Sequence, residues 1–242
     1  MNYMDDASTF EHSLLQKARQ KHIPVTGALE LLPLCNMNCD MCYVRLSRSE
    51  MERQGRLRTV EEWVRLAEQM QKAGTVFLLL TGGEPLLQPD AADFLRKVRE
   101  LGFAVKLDTN GCDPARLAEI LNQGLVDYVA MDVKNAPARY AETVGIPGFN
   151  PAPVEESIRL LRKSTVDYEF RTTVVKELHD SQDFLDIGRW LEGCQHYYLQ
   201  NYVDSGEVLC SGFTSCTKEE LLAFAEILLP YMADVSLRGI DY

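Results

Sequence analysis

Three cysteines close together in the chain, Cys35, Cys39 and Cys42, are the residues whose type and spacing most plainly suggest chemistry. Thiolates are soft donors, and a loop holding three of them within one short stretch can fold them around a single metal centre. The number three is informative. A cubane iron–sulfur cluster takes four ligands, so three protein thiolates leave one iron open to a group that is not protein. A structural zinc site is the alternative and needs a fourth Cys or His, for which the nearest candidates in sequence are His22 and Cys112. The remaining cysteines, Cys194, Cys210 and Cys216, are scattered. A total of seven, with Asp5, Asp6 and Glu11 spoiling any secretion signal, favours metal ligation or free thiols over a disulfide framework.

The elements that must position these thiols follow from periodicity. Short apolar runs rich in β-branched and aromatic residues alternate with segments of helical period, the pattern of a parallel α/β sheet or barrel. Strands are expected at Ala28–Leu34, Thr75–Thr81, Ala104–Asp108, Val126–Val133, Asp167–Val175 and Tyr197–Val203. Helices are expected at Val60–Ala73, Ala91–Leu101, Pro114–Gln123, Val154–Lys163, Gln182–Glu192 and Lys218–Leu229. Thr59 with Glu62 reads as a capping box, and Gly74, Gly102 and Gly124 as helix stops. Phe10, Leu14, Leu15 and Ala18 share a helical face between Ser8 and Lys21, so residues 1–26 read as a short N-terminal helical extension. Residues 27–242 then form a partial (β/α)6 barrel of TIM type with parallel strands, in one domain. Pro137, Pro147, Pro151 and Pro153 mark a long irregular loop after the fourth strand.

In such barrels the chemistry collects at the C-terminal ends of the strands. The cysteine loop follows strand one. After strand two comes Thr81-Gly82-Gly83-Glu84-Pro85, whose paired glycines let a ligand approach the backbone and whose Glu84 offers a carboxylate to an ammonium group. Strand three ends in Asp108-Thr109-Asn110-Gly111. Strand four ends in Met131-Asp132-Val133-Lys134, with Asp132 and Lys134 on one face. Strand five carries Glu169, Arg171 and Thr173, and strand six Tyr198, Gln200 and Tyr202. Taken singly these are a tight turn, a β-turn and an edge ion pair. Together they mark one rim.

The C-x3-C-x2-C loop and the Gly-Gly-Glu-Pro turn resemble the radical SAM enzymes. The resemblance implies a [4Fe-4S] cluster on Cys35, Cys39 and Cys42, with S-adenosylmethionine (SAM) on the open iron. It also implies one-electron cleavage of the sulfonium to a 5′-deoxyadenosyl radical that abstracts hydrogen from a substrate. By the same resemblance Gly82, Gly83 and Glu84 hold the methionyl amino group. Asp108, Asn110, Asp132, Lys134, Arg171 and Gln200 match rim positions that contact the aminocarboxylate, ribose or substrate. The residue before the last ligand is usually aromatic in that family. Here it is Met41, with Tyr43 just beyond, and a soft thioether could serve near the adenine.

From about Leu79 onward the chain resembles the activating proteins of anaerobic ribonucleoside-triphosphate reductase, a glycyl radical enzyme. The matching phrases include Val105-Lys106-Leu107-Asp108-Thr109-Asn110-Gly111, Ala130-Met131-Asp132-Val133-Lys134 and Leu237-Arg238-Gly239. The N-terminal third departs from that branch. Ile23-Pro24-Val25 and Cys42-Tyr43-Val44-Arg45 look like peptide-modifying maturases, whose C-terminal extensions carry further clusters on cysteines. Three cysteines, Cys194, Cys210 and Cys216, are fewer than such an extension uses. The resemblance therefore implies hydrogen abstraction from a glycine loop, with a flavodoxin or ferredoxin as low-potential electron donor. A peptide or small-molecule substrate is the alternative, and a zinc-stabilised binding module that has lost catalysis is the rival from another class.

Composition narrows the rest. The 242 residues include 36 acidic and 25 basic ones, a formal charge of −11, which argues against nonspecific coating of nucleic acid or anionic membrane. Apolar runs such as Val76–Leu80 are far too short to span a bilayer, and the expected compartment is the cytoplasm. Against the acidic background Arg45, Arg48, Arg53, Arg56 and Arg58 cluster just after the cysteines, as a solvated face or as a docking surface for an acidic partner.

Overall fold

A computed structural model describes residues 15–44, 46–204, 206 and 208–240. Seven strands form one sheet: β1 (Thr26–Glu30), β2 (Phe77–Thr81), β3 (Ala104–Thr109), β4 (Tyr128–Asp132), β5 (Asp167–Val174), β6 (His196–Asn201) and β7 (Asp234–Arg238). They lie in chain order, each parallel to the next. Residues 15–20 are helical (α1). Among the described residues eight further helices follow: α2 (Arg48–Gln54), α3 (Val60–Ala73), α4 (Ala91–Glu100), α5 (Pro114–Asn122), α6 (Tyr140–Thr143), α7 (Ala152–Lys163), α8 (Ser181–Trp190) and α9 (Lys218–Leu228). The six expected β/α pairs are all present, and β7 adds a strand that the sequence reading omitted. The expected N-terminal helix is seen over residues 15–20, and its earlier part lies outside the described residues.

Local chemistry sets the helix starts. Thr59 Oγ1 accepts from Glu62 N at 3.3 Å while Thr59 N donates back to the Glu62 carboxylate at 2.8 Å, the reciprocal box expected from the sequence. Asp180 with Asp183, and Thr217 with Glu220, cap α8 and α9 in the same way. Gly74 ends α3 at φ +106°, a left-handed cap that costs a glycine nothing.

Period-two alternation then divides the sheet into two faces. Val105, Leu107, Val129, Phe170, Val174 and Leu199 point to the helical layer and are essentially sealed from solvent. Helices cover that face in neighbouring pairs, α3 beside α4, α5 beside α7 and α8 beside α9. The opposite face carries Lys106, Asp108, Asp132, Glu169, Arg171 and Arg238. Their long side chains meet across intervening strands: Lys106 of β3 and Arg238 of β7 both reach Glu169 of β5. Strands four places apart in a flat sheet are about 19 Å apart, so this convergence requires the sheet to curl around its polar face. Among the described residues no pairing joins β1 to β7, so the sheet does not close into a full barrel.

Candidate active site

The cysteine loop is seated by a seam between the chain segments leaving β1 and β2. Leu31 N donates to Thr81 O at 3.1 Å, Gly83 N to Leu32 O at 2.8 Å and Glu84 N to Leu34 O at 2.8 Å, carrying the ladder beyond both strands. A Cβ on Gly83 would sit 2.1 Å from Leu34 O, and one on Gly82 2.6 Å from Leu32 O. The paired glycines were expected to make room for a ligand. That space is filled by the backbone of residues 32–34, which delivers Cys35 to the rim. Among the described residues no hydrogen bond reaches the Gly82 or Gly83 carbonyl oxygens, so those acceptors remain unused.

Other elements grip the loop further along. Asn38 N donates to Val144 O at 2.8 Å, and Gly145 lacks the Cβ that would lie 2.4 Å from Asn38 O. Met37, Cys39 and Met41 turn into the core, whereas Tyr43 stays 66% exposed. Of the two candidates for packing near an adenine, Met41 is therefore the one held inside the protein. From beyond β6, Leu209 N donates to Cys42 O at 3.0 Å and Cys210 N to Asp40 O at 3.2 Å. Cys35, Cys39 and Cys42 lie within electrostatic reach of one another. Burial pushes the Cys35 thiol up and the Cys39 thiol to about 11, so ionising them at neutral pH calls for a cation. Among the described residues no three His, Cys, Asp or Glu side chains gather around the position of a single ion.

Glu84 occupies a different place from the one expected. It is 2% exposed, and its carboxylate accepts from Leu86 N at 3.1 Å, Thr109 Oγ1 at 2.9 Å and Asn110 N at 2.7 Å. These bonds pull its pKa down, but burial prevails and raises it to about 7. Glu84 thus ties the end of β2 to the end of β3 rather than facing the rim. Asn110 continues the connection, donating from Nδ2 to Asn36 Oδ1 at 2.8 Å and to Cys35 Sγ at 3.5 Å.

The polar ends of β3, β4 and β5 form one ionic network. Arg171 bonds Asp108 at 2.9 Å through one nitrogen and Asp132 through another, and Lys134 bonds the second Asp132 oxygen at 2.8 Å. Burial opposes ionisation of Asp132, but Arg171 and Lys134 outweigh it and hold the carboxyl below the usual range. For Asp108 burial prevails over Arg171 and Lys106 and raises it. Its buried Oδ1 has no hydrogen-bond partner, with Lys106 Nζ 3.9 Å away. Gln200 lies on the same face of β6, its Cα paired with Thr173 and Arg238.

Comparison with known proteins agrees with this geometry. Residues 29–191 match the family described as the radical SAM superfamily. The chain belongs to that superfamily. A protein of Methanocaldococcus jannaschii, provisionally named a glycyl-radical enzyme activating enzyme, is 31% identical over 213 residues, covering 86% of each chain. A PqqA peptide cyclase of Rhodopseudomonas palustris is 30% identical over 125 residues, which span 51% of this chain and 32% of the cyclase. In fold, the crystal structure of Streptococcus suis SuiB bound to precursor peptide SuiA superposes with a TM-score of 0.71 at 14% identity. It covers 99% of this chain and 55% of SuiB.

Radical SAM enzymes imply a [4Fe-4S] cluster and SAM, and the residues present fit both. Three soft donors share one gripped loop, the Gly82 and Gly83 carbonyls are unused, and one buried Asp108 oxygen lacks a donor. The sequence reading placed Glu169 and Tyr198 on this sheet face but did not foresee the second layer they form with Lys106, Tyr128 and Arg238. Glu169 accepts two bonds from Arg238 at 2.7 and 2.8 Å, one from Lys106 at 3.3 Å and one from Tyr128 at 2.9 Å. Arg238 also stacks over the Tyr198 ring at 3.5 Å. The signal was available as Lys106 and Glu169 falling two residues before Asp108 and Arg171 on strands of period two.

The remaining candidates separate. Cys194 and Cys216 are buried in the apolar core, and Cys210 is exposed. Arg56 pairs with Glu62 at 2.6 Å and Arg58 lies over Trp63 at 5.2 Å, which engages two arginines of the basic cluster internally. Arg45 lies outside the described residues. Two cavities, of 260 Å³ between α4 and α5 and 450 Å³ at the starts of β4 to β6, lie away from the cysteine loop. Among the described residues no helix is long and apolar enough to cross a membrane.

Proposed function

We propose that Cys35, Cys39 and Cys42 hold the cluster and that the chain activates a glycyl radical enzyme. Held there, the cluster would supply the electron that cleaves the sulfonium of SAM, the chemistry needed to take a hydrogen atom from a glycine Cα. The observation that carries the reading is the Asn110 side chain. It donates to the Cys35 sulfur while the Asn110 backbone N–H donates to Glu84, so the cysteine loop is continuous with the charged ends of β3 to β5.

This chain's residues then take separate tasks. The carbonyl oxygens of Gly82 and Gly83 accept from the methionyl ammonium, since the Glu84 carboxylate is occupied by Leu86, Thr109 and Asn110. Lys134, Arg171 and Asp132 present a fixed charge pattern that orients the zwitterionic end of the cofactor, and Asp108 and Gln200 line the wall beside it. Met41 contributes a buried thioether near the adenine. Among the described residues β1 and β7 do not pair, and a polypeptide loop would enter from that side. The provisional role of the M. jannaschii relative supports the glycine target. A low-potential flavodoxin or ferredoxin would deliver the electron.

The test is anaerobic reconstitution with iron and sulfide, followed by SAM, a reductant and a glycyl radical enzyme encoded beside this chain's gene. A glycyl EPR doublet on that partner is expected; 5′-deoxyadenosine formation without a doublet on any such partner rejects the target. The likeness to a peptide cyclase favours a second reading, a peptide substrate, which deuterium transfer from a labelled peptide into 5′-deoxyadenosine would support.

A further inference from the structure

Two donors from different parts of the chain are aimed at the Cys35 sulfur. Met37 N–H points to Cys35 Sγ at 3.4 Å from within the loop, and the Asn110 amide points to it at 3.5 Å from the end of β3. The Asn110 side chain has only one orientation consistent with its neighbours. Its Oδ1 accepts from Cys112 N at 3.0 Å, so Nδ2 must face Cys35 and Asn36. Its backbone is pinned as well, with Asn110 N donating to Glu84 at 2.7 Å, and the residue is 4% exposed. A long-range side-chain donor fixed at three points and aimed at a sulfur is more than the fold requires of an asparagine in a turn.

Hydrogen bonds to cluster sulfurs stabilise the more negative, reduced state and so raise the reduction potential, and partners of this kind orient the ligands they touch. We infer that Asn110 is a positioning residue that sets the redox poise of the cluster by donating its amide hydrogen to Cys35, with Glu84 and the Cys112 backbone holding it on target. The inference rests on the proposed ligation by Cys35 and deepens it. It also changes the role expected for Asn110, from a cofactor contact at the rim to a donor behind the first ligand. The buried Glu84 acquires a purpose that its inward-turned carboxylate would otherwise deny it. It anchors the donor.

The test compares the reconstituted wild-type protein with Asn110→Asp and Asn110→Ser by EPR-monitored redox titration without SAM. Asn110→Asp keeps an oxygen for Cys112 N–H and replaces the amide donor with a carboxylate. At a fixed reductant potential near the wild-type midpoint, the variant is expected to hold about tenfold less reduced cluster relative to oxidised, equivalent to about 59 mV more negative for one electron. Asn110→Ser is expected to shift in the same direction by less. An asparagine needed only for folding would lower iron content or melting temperature and leave the midpoint of the loaded fraction where it was, which overturns the inference. A measurement on the unaltered protein guards against variants that do not fold. With asparagine isotopically labelled at the side-chain amide nitrogen, the reduced cluster is expected to show a hyperfine coupling to that nitrogen, and its absence overturns the inference. If the wild-type protein binds no [4Fe-4S] cluster, the ligation reading fails and this inference with it. A loaded cluster with an unmoved midpoint sinks only the role of Asn110.

Discussion

Glu84 and Cys39 are single residues whose burial has measurable consequences. The Glu84 carboxyl, at about 7, holds its proton more tightly when folded than an unfolded glutamate does. Its contribution to stability therefore falls as pH rises from about 4.5 to about 7 and is level above that. The stability difference between wild type and Glu84→Gln should fall by on the order of 3 kcal/mol across that window, measured by urea melts at stepped pH; a flat difference would show that Glu84 does not titrate there. Cys39→Ala should abolish nearly all iron binding after reconstitution, whereas Cys210→Ala, at an exposed thiol, should retain it. Colorimetric iron and sulfide assays distinguish the two. Both residues stood out in the sequence, but their surroundings did not. The partners of Glu84 lie up to 26 positions away, and only the fold reveals that its carboxylate turns inward to Thr109 and Asn110.

Elements were legible where one periodicity governed a whole segment. Strands β2 to β6 and the six long helices sit within a few residues of their expected limits, because each carries an apolar periodicity of its own kind and several of the helices add a capping box or a glycine stop. β1 was expected at Ala28–Leu34 and runs Thr26–Glu30; residues 31–34 leave the strand to form the seam with Gly82 to Glu84. β7 was overlooked because Asp234-Val-Ser-Leu-Arg has only two apolar positions, Val235 and Leu237, and its Arg238 is spent on the ionic layer around Glu169. The seam makes its own prediction. Gly83→Ala forces a Cβ onto the Leu34 carbonyl, so it should cost roughly 1–3 kcal/mol and lower the melting temperature in circular dichroism. It should also reduce cluster loading, since the displaced segment is the one that carries Cys35.

At the scale of the whole molecule, the curled sheet is held open at its side and braced through its middle. Glu169 is 1% exposed and takes bonds from β3, β4 and β7, and Arg238 supplies the two shortest of them. Burial raises the Glu169 pKa, but Arg238, Lys106 and Tyr128 overcome it and lower the carboxyl to about 2. The pair's stabilisation is thus complete above about pH 4.5 and is lost as pH falls towards 2. Arg238→Leu should destabilise the protein by about 2 kcal/mol at neutral pH, below the usual cost of breaking a buried pair because Lys106 and Tyr128 remain. The difference from wild type should shrink with acidification, as read by thermal melts from pH 7 to pH 2. The strand order has a consequence for biogenesis. With every strand added beside its predecessor, a chain leaving the ribosome can lay down the sheet one unit at a time, and the guanidinium that completes the central brace emerges last. Until it docks, the half-built wall holds a buried carboxylate that has lost its two shortest bonds, so a nascent chain stalled before β7 should be a good protease target, and the arrival of β7 becomes the event that completes the brace.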